Sequence, residues 1–452
     1  LSARENEAFL SLCPCRKPLA GVLSFACGPR MNFLRGFSLN AVCTGLTFGL
    51  GLVNQWLLAN YVLDKAAYGR LYLWTNVAMI GAIVLGEWLR RGNTIVVGKE
   101  AVAVEARDNA LLYCAGLLGV GLAVAYIGTD TWGRLLGAEA RDYWPLLAAL
   151  PVLFILQRAG LSVLLGRDQI KLYAAIPVLF IVVYLIGNAV LWWSGEAELA
   201  LVLCVFAGAA GTAGLVAFAV LSGIGRFSWG DRAVLRRTFS VGARGAASVG
   251  LVFLMLRSDA FLIEYLLGEA AVGSYRVALN FAEMMQRLPD VAGAILLAKV
   301  VRGEDQRLLS LRVAQGILIF SLLAALALLL AGPLLIGLLF PDYPEAYEPL
   351  AWMLPGLVCL GFASVFNTKL AGQGYPVVTL WAAAAAFAVN ILLGIWFIPT
   401  WGLLGAAWAK SVAYVAWALL VGGYYLRNEG LGWRALLRFW DLAATLKKSH
   451  KS

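Results

Sequence analysis

The chain predicts an all-α polytopic membrane protein, about twelve transmembrane helices arranged as two parallel six-helix lobes around a central cavity. Three observations predict it. The 452 residues are 61% hydrophobic and only 14% charged, with mean hydropathy +0.80, which excludes an ordinary soluble domain and a disordered one. Apolar runs of roughly 20 residues, long enough at 1.5 Å per residue to cross roughly 30 Å of hydrocarbon, recur from Phe37 onward. Short strings from the first half return in the second half in the same order. The ten-residue alternating strands of a membrane barrel would need turn signals far more often than this chain supplies them.

Residues 1–30 are unlike the rest. They begin at Leu1, carry Cys13-Pro14-Cys15, and precede a natural start at Met31, so they read as a leader or an over-extended N-terminus, expected to be disordered. They are too polar and broken for a signal-peptide apolar region. Six spans then form an N-lobe over 31–222: 37–63, 71–90, 109–128, 143–165, 172–193 and 199–222. The first opens on Phe37-Ser38-Leu39 and carries Asn54 and Gln55 at depth; the second follows Ala66-Ala67-Tyr68-Gly69; the fourth holds Arg158 and the fifth Asn188. A basic linker, 223–239, separates this half from a C-lobe over 240–426. Its spans are 240–266, 274–300, 314–340, 348–371, 377–398 and 403–426. The seventh opens on Phe239-Ser240-Val241, and the eighth follows Ala270-Ala271-Val272-Gly273. Asn76-Val-Ala78 matches Asn280-Phe-Ala282 at the same offset as the Ala-Ala pairs. Each half starts on the same side and holds an even number of helices, so the repeats are parallel and enclose a cavity that opens alternately to either side. In the tail, 427–452, Trp433, Leu436, Leu437 and Trp440 share one helical face while Arg434, Arg438 and Asp441 lie elsewhere, the pattern of a helix lying in the interface.

Basic residues outside the spans gather at the N-terminus, in the even-numbered gaps and in the tail, including Arg90, Arg91, Arg226, Arg232, Arg236, Arg237, Arg302 and Arg307. The other gaps hold only Lys65, Arg70, Arg134 and Arg141, so both termini are expected in the cytoplasm. The net charge of +10 reflects this topology and contact with anionic lipid, and it implies no nucleic-acid partner. The outer loops are short and mostly acidic, with no room for an extramembrane active site. No cofactor or metal site is expected. Cys13, Cys15 and Cys27 lack ligand spacing with any His, the lone His450 sits in the tail, and Cys43, Cys114, Cys204 and Cys359 lie in apolar helices as packing residues.

Charges inside apolar spans carry the functional signal. An ionised side chain at bilayer depth costs about 2.5 to 3.5 kcal/mol on insertion scales, so such residues line wet cavities or ion paths. On the eighth span Arg276, Asn280, Glu283, Arg287 and Asp290 are spaced 4, 3, 4 and 3, which keeps them within one narrow stripe beside Pro289. Counted from the outer loop near residue 270, Arg257 and Glu283 both lie roughly 15 Å deep on adjacent antiparallel helices and are expected to pair. Lys369 is expected to snorkel to the nearer interface, whereas Arg158, Arg257, Arg287 and Lys410 are expected in the cavity. Fixed positive charge there suits an anion, and guanidinium forks match phosphate oxygens. Asp259, Glu283 and Asp290 are candidate proton or sodium sites.

The run from Arg257-Ser-Asp259 through Glu264, Gly268-Glu269-Ala-Ala-Val-Gly273 and Tyr275 to Ala278 resembles the seventh-to-eighth helix hairpin of polysaccharide-repeat flippases. The stretch after Asn390, Phe397-Ile-Pro399-Thr-Trp-Gly402-Leu-Leu-Gly405-Ala-Ala407, is similar to the segment joining their last helices. These O-antigen (Wzx-type) flippases belong to the multidrug, oligosaccharidyl-lipid and polysaccharide exporter superfamily. The resemblance implies a transporter of the bacterial inner membrane, not an enzyme. Its implied substrate is an undecaprenyl-pyrophosphate-linked oligosaccharide, turned from the inner to the outer leaflet by alternating access between two lobes. Other polysaccharide-assembly membrane proteins are implied partners. Substrate contacts would fall to Arg158, Arg257, Arg276, Arg287, Lys410 and Asn280, and ion coupling to Asp259, Glu283 and Asp290. Lipid II flippases resemble a fourteen-helix version with several charges on the first helix, so an O-antigen, capsule or exopolysaccharide repeat fits better than a peptidoglycan precursor.

Three alternatives have their own signatures. A drug or cation antiporter of the same superfamily would have a carboxylate-dominated cavity, whereas this one is rich in Arg and Lys. A membrane glycosyl polymerase or ligase would need a large outer loop. A general twelve-helix sugar transporter would carry a Gly, Asp and Arg pattern in the second-to-third loop, where this chain has Arg90-Arg91-Gly92-Asn93-Thr94.

Overall fold

The computed structural model describes residues 33–431 except 129–130, 132–141, 196–197, 302–306 and 373–375. The expected leader, the amphipathic tail, and Arg134, Arg141 and Arg302 lie outside the described residues. Every regular element described is helical. The first lobe contains α1 (Phe33–Leu57, continued by a π-turn over Leu58–Val62), α2 (Lys65–Lys99), α3 (Ala103–Ile127), α4 (Trp144–Gly166), α5 (Ile170–Ser194) and α6 (Leu199–Ser222). The second contains α7 (Arg232–Arg257), α8 (Asp259–Leu267), α9 (Glu269–Val301), α10 (Arg307–Leu339), α11 (Tyr347–Gly372) and α12 (Val377–Asn428).

Ten helical stretches among the described residues are long and apolar enough to cross a membrane. The 33-residue α9 is long enough as well, and carries Arg276, Glu283, Arg287 and Asp290 on one stripe. The 52 residues of α12 would run roughly 78 Å if straight, more than two hydrocarbon thicknesses. The helix instead breaks at Gly402 (φ 58°, ψ −135°), a conformation only glycine adopts without strain, and so forms two arms, each long enough for one crossing. With α9 and the second arm of α12 added to those ten, the described residues hold twelve helical stretches of membrane-spanning length, against the about twelve expected. The eleventh and twelfth are joined through this break with no intervening loop.

The second span is longer than its hydropathy suggests. Arg90-Arg91-Gly92-Asn93-Thr94, expected as a loop, is helical, and α2 continues to Lys99. Asp64 starts this helix, its Oδ1 accepting the Ala67 amide at 2.6 Å, and Asp231 caps α7 in the same way on Ala233 at 2.7 Å. Since α7 begins at Arg232, part of the segment 223–239 is already helical.

Helix neighbours in one lobe recur in the other. In the first, α2 packs on α4, α3 on α4, α4 on α6 and α1 on α5. In the second, α9 packs on α11, α10 on α11, and both α11 and the α7–α8 pair on α12. Small residues permit the close approach that lipid-immersed helices need: Ala210, Ala213 and Ala217 on α6 are fully buried, as are Ala406, Ala407 and Ala409 on α12. Leu322, Leu326, Leu330, Leu334 and Leu338 wind along the exposed side of α10, where lipid would cover them.

The lobes meet where α2 packs on α7 and on α9. At one end Gly69 and Gly273, equivalent positions of the repeat, face each other. A Cβ on Gly69 would lie 2.9 Å from the Gly273 nitrogen, and one on Gly273 would overlap the Lys65 carbonyl. Around them Lys65 pairs with Glu345 at 2.9 Å, Arg70 with Glu269 at 2.8 Å, and Ser274 donates to Glu345 at 2.6 Å. These contacts seal this end of the seam between the lobes.

Candidate functional site

Among the described residues, three chambers between and beside the lobes are lined by the candidate side chains. The first, about 310 Å³, is bounded by Thr44, Phe48 and Gln55 of α1, Leu161 of α4, Tyr173 and Pro177 of α5, and Arg276, Asn280, Glu283 and Arg287 of α9. The second, also about 310 Å³, shares Leu161 and Tyr173 with it and is walled by Glu87, Arg90, Arg158 and Phe253. The third, about 340 Å³, shares Glu283 and Arg287 with the first and reaches Arg257, Asp290, Asn367, Lys410, Tyr414 and Trp417 inside the second lobe. The stripe read from residue spacing on α9 therefore faces the cavity.

Glu283 is the hub of the first chamber. Its Oε1 lies 2.8 Å from Arg257 and 2.7 Å from Arg276, and its Oε2 lies 3.9 Å from Arg287. Arg257 and Glu283 thus pair, as their equal depth on antiparallel helices requires. Three guanidiniums on one carboxylate leave a formal charge of +2. Two of them are fixed by aromatic residues as well: Arg257 donates to the Tyr72 hydroxyl at 2.8 Å, and Arg276 lies over the Tyr72 ring at 4.7 Å. Arg287, 44% exposed, sits over Phe48 of α1 at 4.7 Å and is the least constrained of the three. Asn280 donates to Tyr68 at 3.2 Å, and Tyr68 donates to Gln55 at 2.7 Å, so one hydrogen-bond chain links α9, α2 and α1. Asn54, beside Gln55, accepts from Asn188 of α5 at 2.9 Å.

Lys410 has an immediate partner. Its ammonium donates to Asp259 at 2.7 Å and to the Leu256 carbonyl at 3.0 Å, and Tyr275 donates to the same Asp259 oxygen. Helical bonding is interrupted at Ser258, between α7 and α8, and side chains take up the freed groups: Lys410 on Leu256, Asn390 on Met255 at 3.2 Å. Both ions of the pair are almost wholly buried, at 2% and 3% side-chain exposure. Asp259 stands behind the wall of the third chamber and not on it. Asp290 is exposed and lines that chamber. Lys369, near the end of α11, is buried, lies 2.5 Å from Glu429 just past the end of α12, and ties that end to α11.

Arg158 brings in a residue that spacing did not single out. Glu87 of α2 is 1% exposed and takes Arg90, Arg91 at 2.8 Å and Arg158 at 3.5 Å. Its signal was an acidic side chain inside an apolar run, one helical turn before two arginines. A second buried network, also beyond the spacing argument, holds the linker between the lobes. Arg107 donates to the carbonyls of Leu221, Gly225 and Arg226, Asp108 accepts from Ser228, and Asn109 exchanges bonds with Asp231.

No protein-family model and no curated protein matches this sequence. Solved structures do match in fold. The inward-closed lipid II flippase MurJ superposes with a TM-score of 0.72 at 14% identity, covering 88% of this chain and 89% of MurJ. An inward-facing multidrug resistance MATE family transporter of the MOP superfamily gives 0.67 at 13% identity, with 90% and 97% covered. A mutant of the Vibrio cholerae MATE transporter VcmN gives 0.61 at 16% identity, with 87% and 96% covered. The chain therefore has the two-lobed helical membrane fold of these transporters.

Proposed function

We propose that the protein is a transporter that turns an undecaprenyl-pyrophosphate-linked oligosaccharide from the inner to the outer leaflet of the bacterial inner membrane, by alternating access, for O-antigen, capsule or exopolysaccharide assembly. One observation carries the reading: Arg276 and Arg287 line the inter-lobe chamber beside Glu283, and with Arg257 behind them on the same glutamate the cluster carries positive charge in excess. A pyrophosphate-sugar head cannot shed its water into hydrocarbon without a polar replacement. Arg276, Arg287 and Asn280 supply that replacement at the chamber wall, while Arg257, held by Tyr72 and Glu283, keeps the hub in place. Phe48, Leu52 and Leu161 offer apolar surface beside them for the first isoprenoid units. The lipid II flippase among the solved neighbours supports a lipid-linked substrate.

A drug or cation antiporter on the same fold would need carboxylates available to a cationic ligand. Asp259 and Glu283, the two at mid-depth, already hold cations of the chain itself. Release on the far side requires the opposite state to bind more weakly, and Glu283 and Asp290, on the chamber walls, are the groups through which a proton or sodium ion would bias it. Asp259 serves there by fixing Lys410.

The test is reconstitution into liposomes with a fluorescent undecaprenyl-pyrophosphate oligosaccharide, following loss of the accessible leaflet's signal to a membrane-impermeant quencher. The expected result is quenching of both leaflets with protein present and of only about half the probe without it. Equal protected fractions in the two samples would defeat the reading.

A further inference from the structure

We propose that the second chamber, walled by Arg90 and Arg158, is a separate anion subsite that takes an acidic, carboxylate-bearing sugar of the same lipid-linked oligosaccharide. The inference rests on the first chamber holding the pyrophosphate. The second repeats its design on the other side of the shared Leu161–Tyr173 wall: a buried carboxylate, Glu87, gathers three guanidiniums, for a formal charge of +2. An ion pair built only to neutralise Glu87 would use one arginine. Arg158 reaches Glu87 at 3.5 Å, against 2.8 Å for Arg91, and keeps 26% of its side chain exposed toward the chamber. A guanidinium carries five N–H donors in a planar fork, so this loose contact leaves it able to bind an incoming carboxylate.

The geometry argues for the sugar as the bearer of that charge. The two phosphates of a pyrophosphate are adjacent and fit within one chamber of about 310 Å³. An anionic group beyond Leu161 and Tyr173 must then sit further along the ligand, on the glycan. Tyr173, half-buried and common to both chambers, supplies an aromatic surface at the point where the chain of sugars would pass. The substrate class narrows to repeats that contain a uronic acid or another carboxylated sugar close to the lipid-linked end.

Binding to the purified full chain in lipid nanodiscs tests this, by calorimetry with three probes: an oligogalacturonate, a neutral maltooligosaccharide of the same length, and inorganic pyrophosphate. Oligogalacturonate is expected to bind at least tenfold more tightly than the neutral sugar. Arg158→Gln is expected to weaken oligogalacturonate about tenfold, and to weaken it at least threefold more than pyrophosphate. Val249→Glu, which adds a competing carboxylate to the chamber wall without removing any member of the Glu87 cluster, is expected to do the same, and stands as the test should Arg158→Gln fail to fold. Equal affinity for the acidic and neutral sugars, or a matching loss of pyrophosphate in both variants, would overturn the subsite. Oligogalacturonate binding without pyrophosphate binding would overturn the head-group site instead and leave this subsite standing.

Discussion

Arg257 of α7 and Glu283 of α9 lie 2.8 Å apart, and the glutamate oxygen that joins them also takes Arg276 at 2.7 Å. The contact couples two helices of the second lobe at the wall of the inter-lobe chamber. Breaking one member of a buried pair costs about 3 to 5 kcal/mol when the other charge is stranded, and less where the site is wet. A double-mutant cycle with Arg257→Gln and Glu283→Gln is expected to give a coupling energy of about 1 to 3 kcal/mol in thermal unfolding. Additive effects would show that the pair is incidental.

Arg287 is the complementary case. It is half exposed, lies 3.9 Å from Glu283 and contacts Phe48 across the lobes. Its removal should leave the fold intact and affect only the ligand. Arg287→Gln is expected to keep Tm within about 2 °C of the parent and to reduce flipping in liposomes at least tenfold, the loss of one charge-assisted contact.

Lys410 and Asp259 are buried beyond solvent screening and should behave in the opposite way. Lys410→Met or Asp259→Asn alone is expected to lower the yield of folded protein sharply, since each strands a charge worth about 3 to 5 kcal/mol. The double variant Lys410→Met/Asp259→Leu is expected to recover most of that stability in a thermal-shift assay. Full stability of either single variant would contradict the pairing.

The sealed end has two parts of unequal weight. The Lys65–Glu345 pair is 37% and 44% exposed, so Glu345→Gln should shift the closed state by about 1 kcal/mol or less. The Gly69–Gly273 approach leaves no room for a methyl group. Gly69→Ala is expected to cost the closed state about 1 to 3 kcal/mol and to raise the labelling rate of a cysteine placed at Asn280, measured with an impermeant thiol reagent added from outside. An unchanged rate would mean that this end does not open.

Much of the fold was legible because lipid imposes a single demand, a long apolar helix, and the apolar runs show where it is met. The Arg257–Glu283 pair was legible for a related reason: two charges at equal depth on consecutive antiparallel helices have few other partners. The Lys410–Asp259 pair was not, because its members are 151 residues apart and meet only through the packing of α12 on α8. Glu87 was missed because Arg90 and Arg91 read as loop charges; with three cations neutralising it, the helix continues past them to Lys99. Arg107 and Asp108 likewise fell in an expected gap, with Asn109 at the very start of the third expected span, and their role depends on a linker more than a hundred residues away.

The central claim is that the cations facing the first chamber hold a pyrophosphate head group. Its most direct test is equilibrium binding of a radiolabelled undecaprenyl-pyrophosphate oligosaccharide to the protein in nanodiscs, for the parent and for Arg276→Gln/Arg287→Gln. The expected result is saturable binding to the parent, competed by inorganic pyrophosphate, with affinity at least a hundredfold lower in the double variant. Equal binding by the two proteins, or binding to the parent that pyrophosphate does not compete, would contradict it.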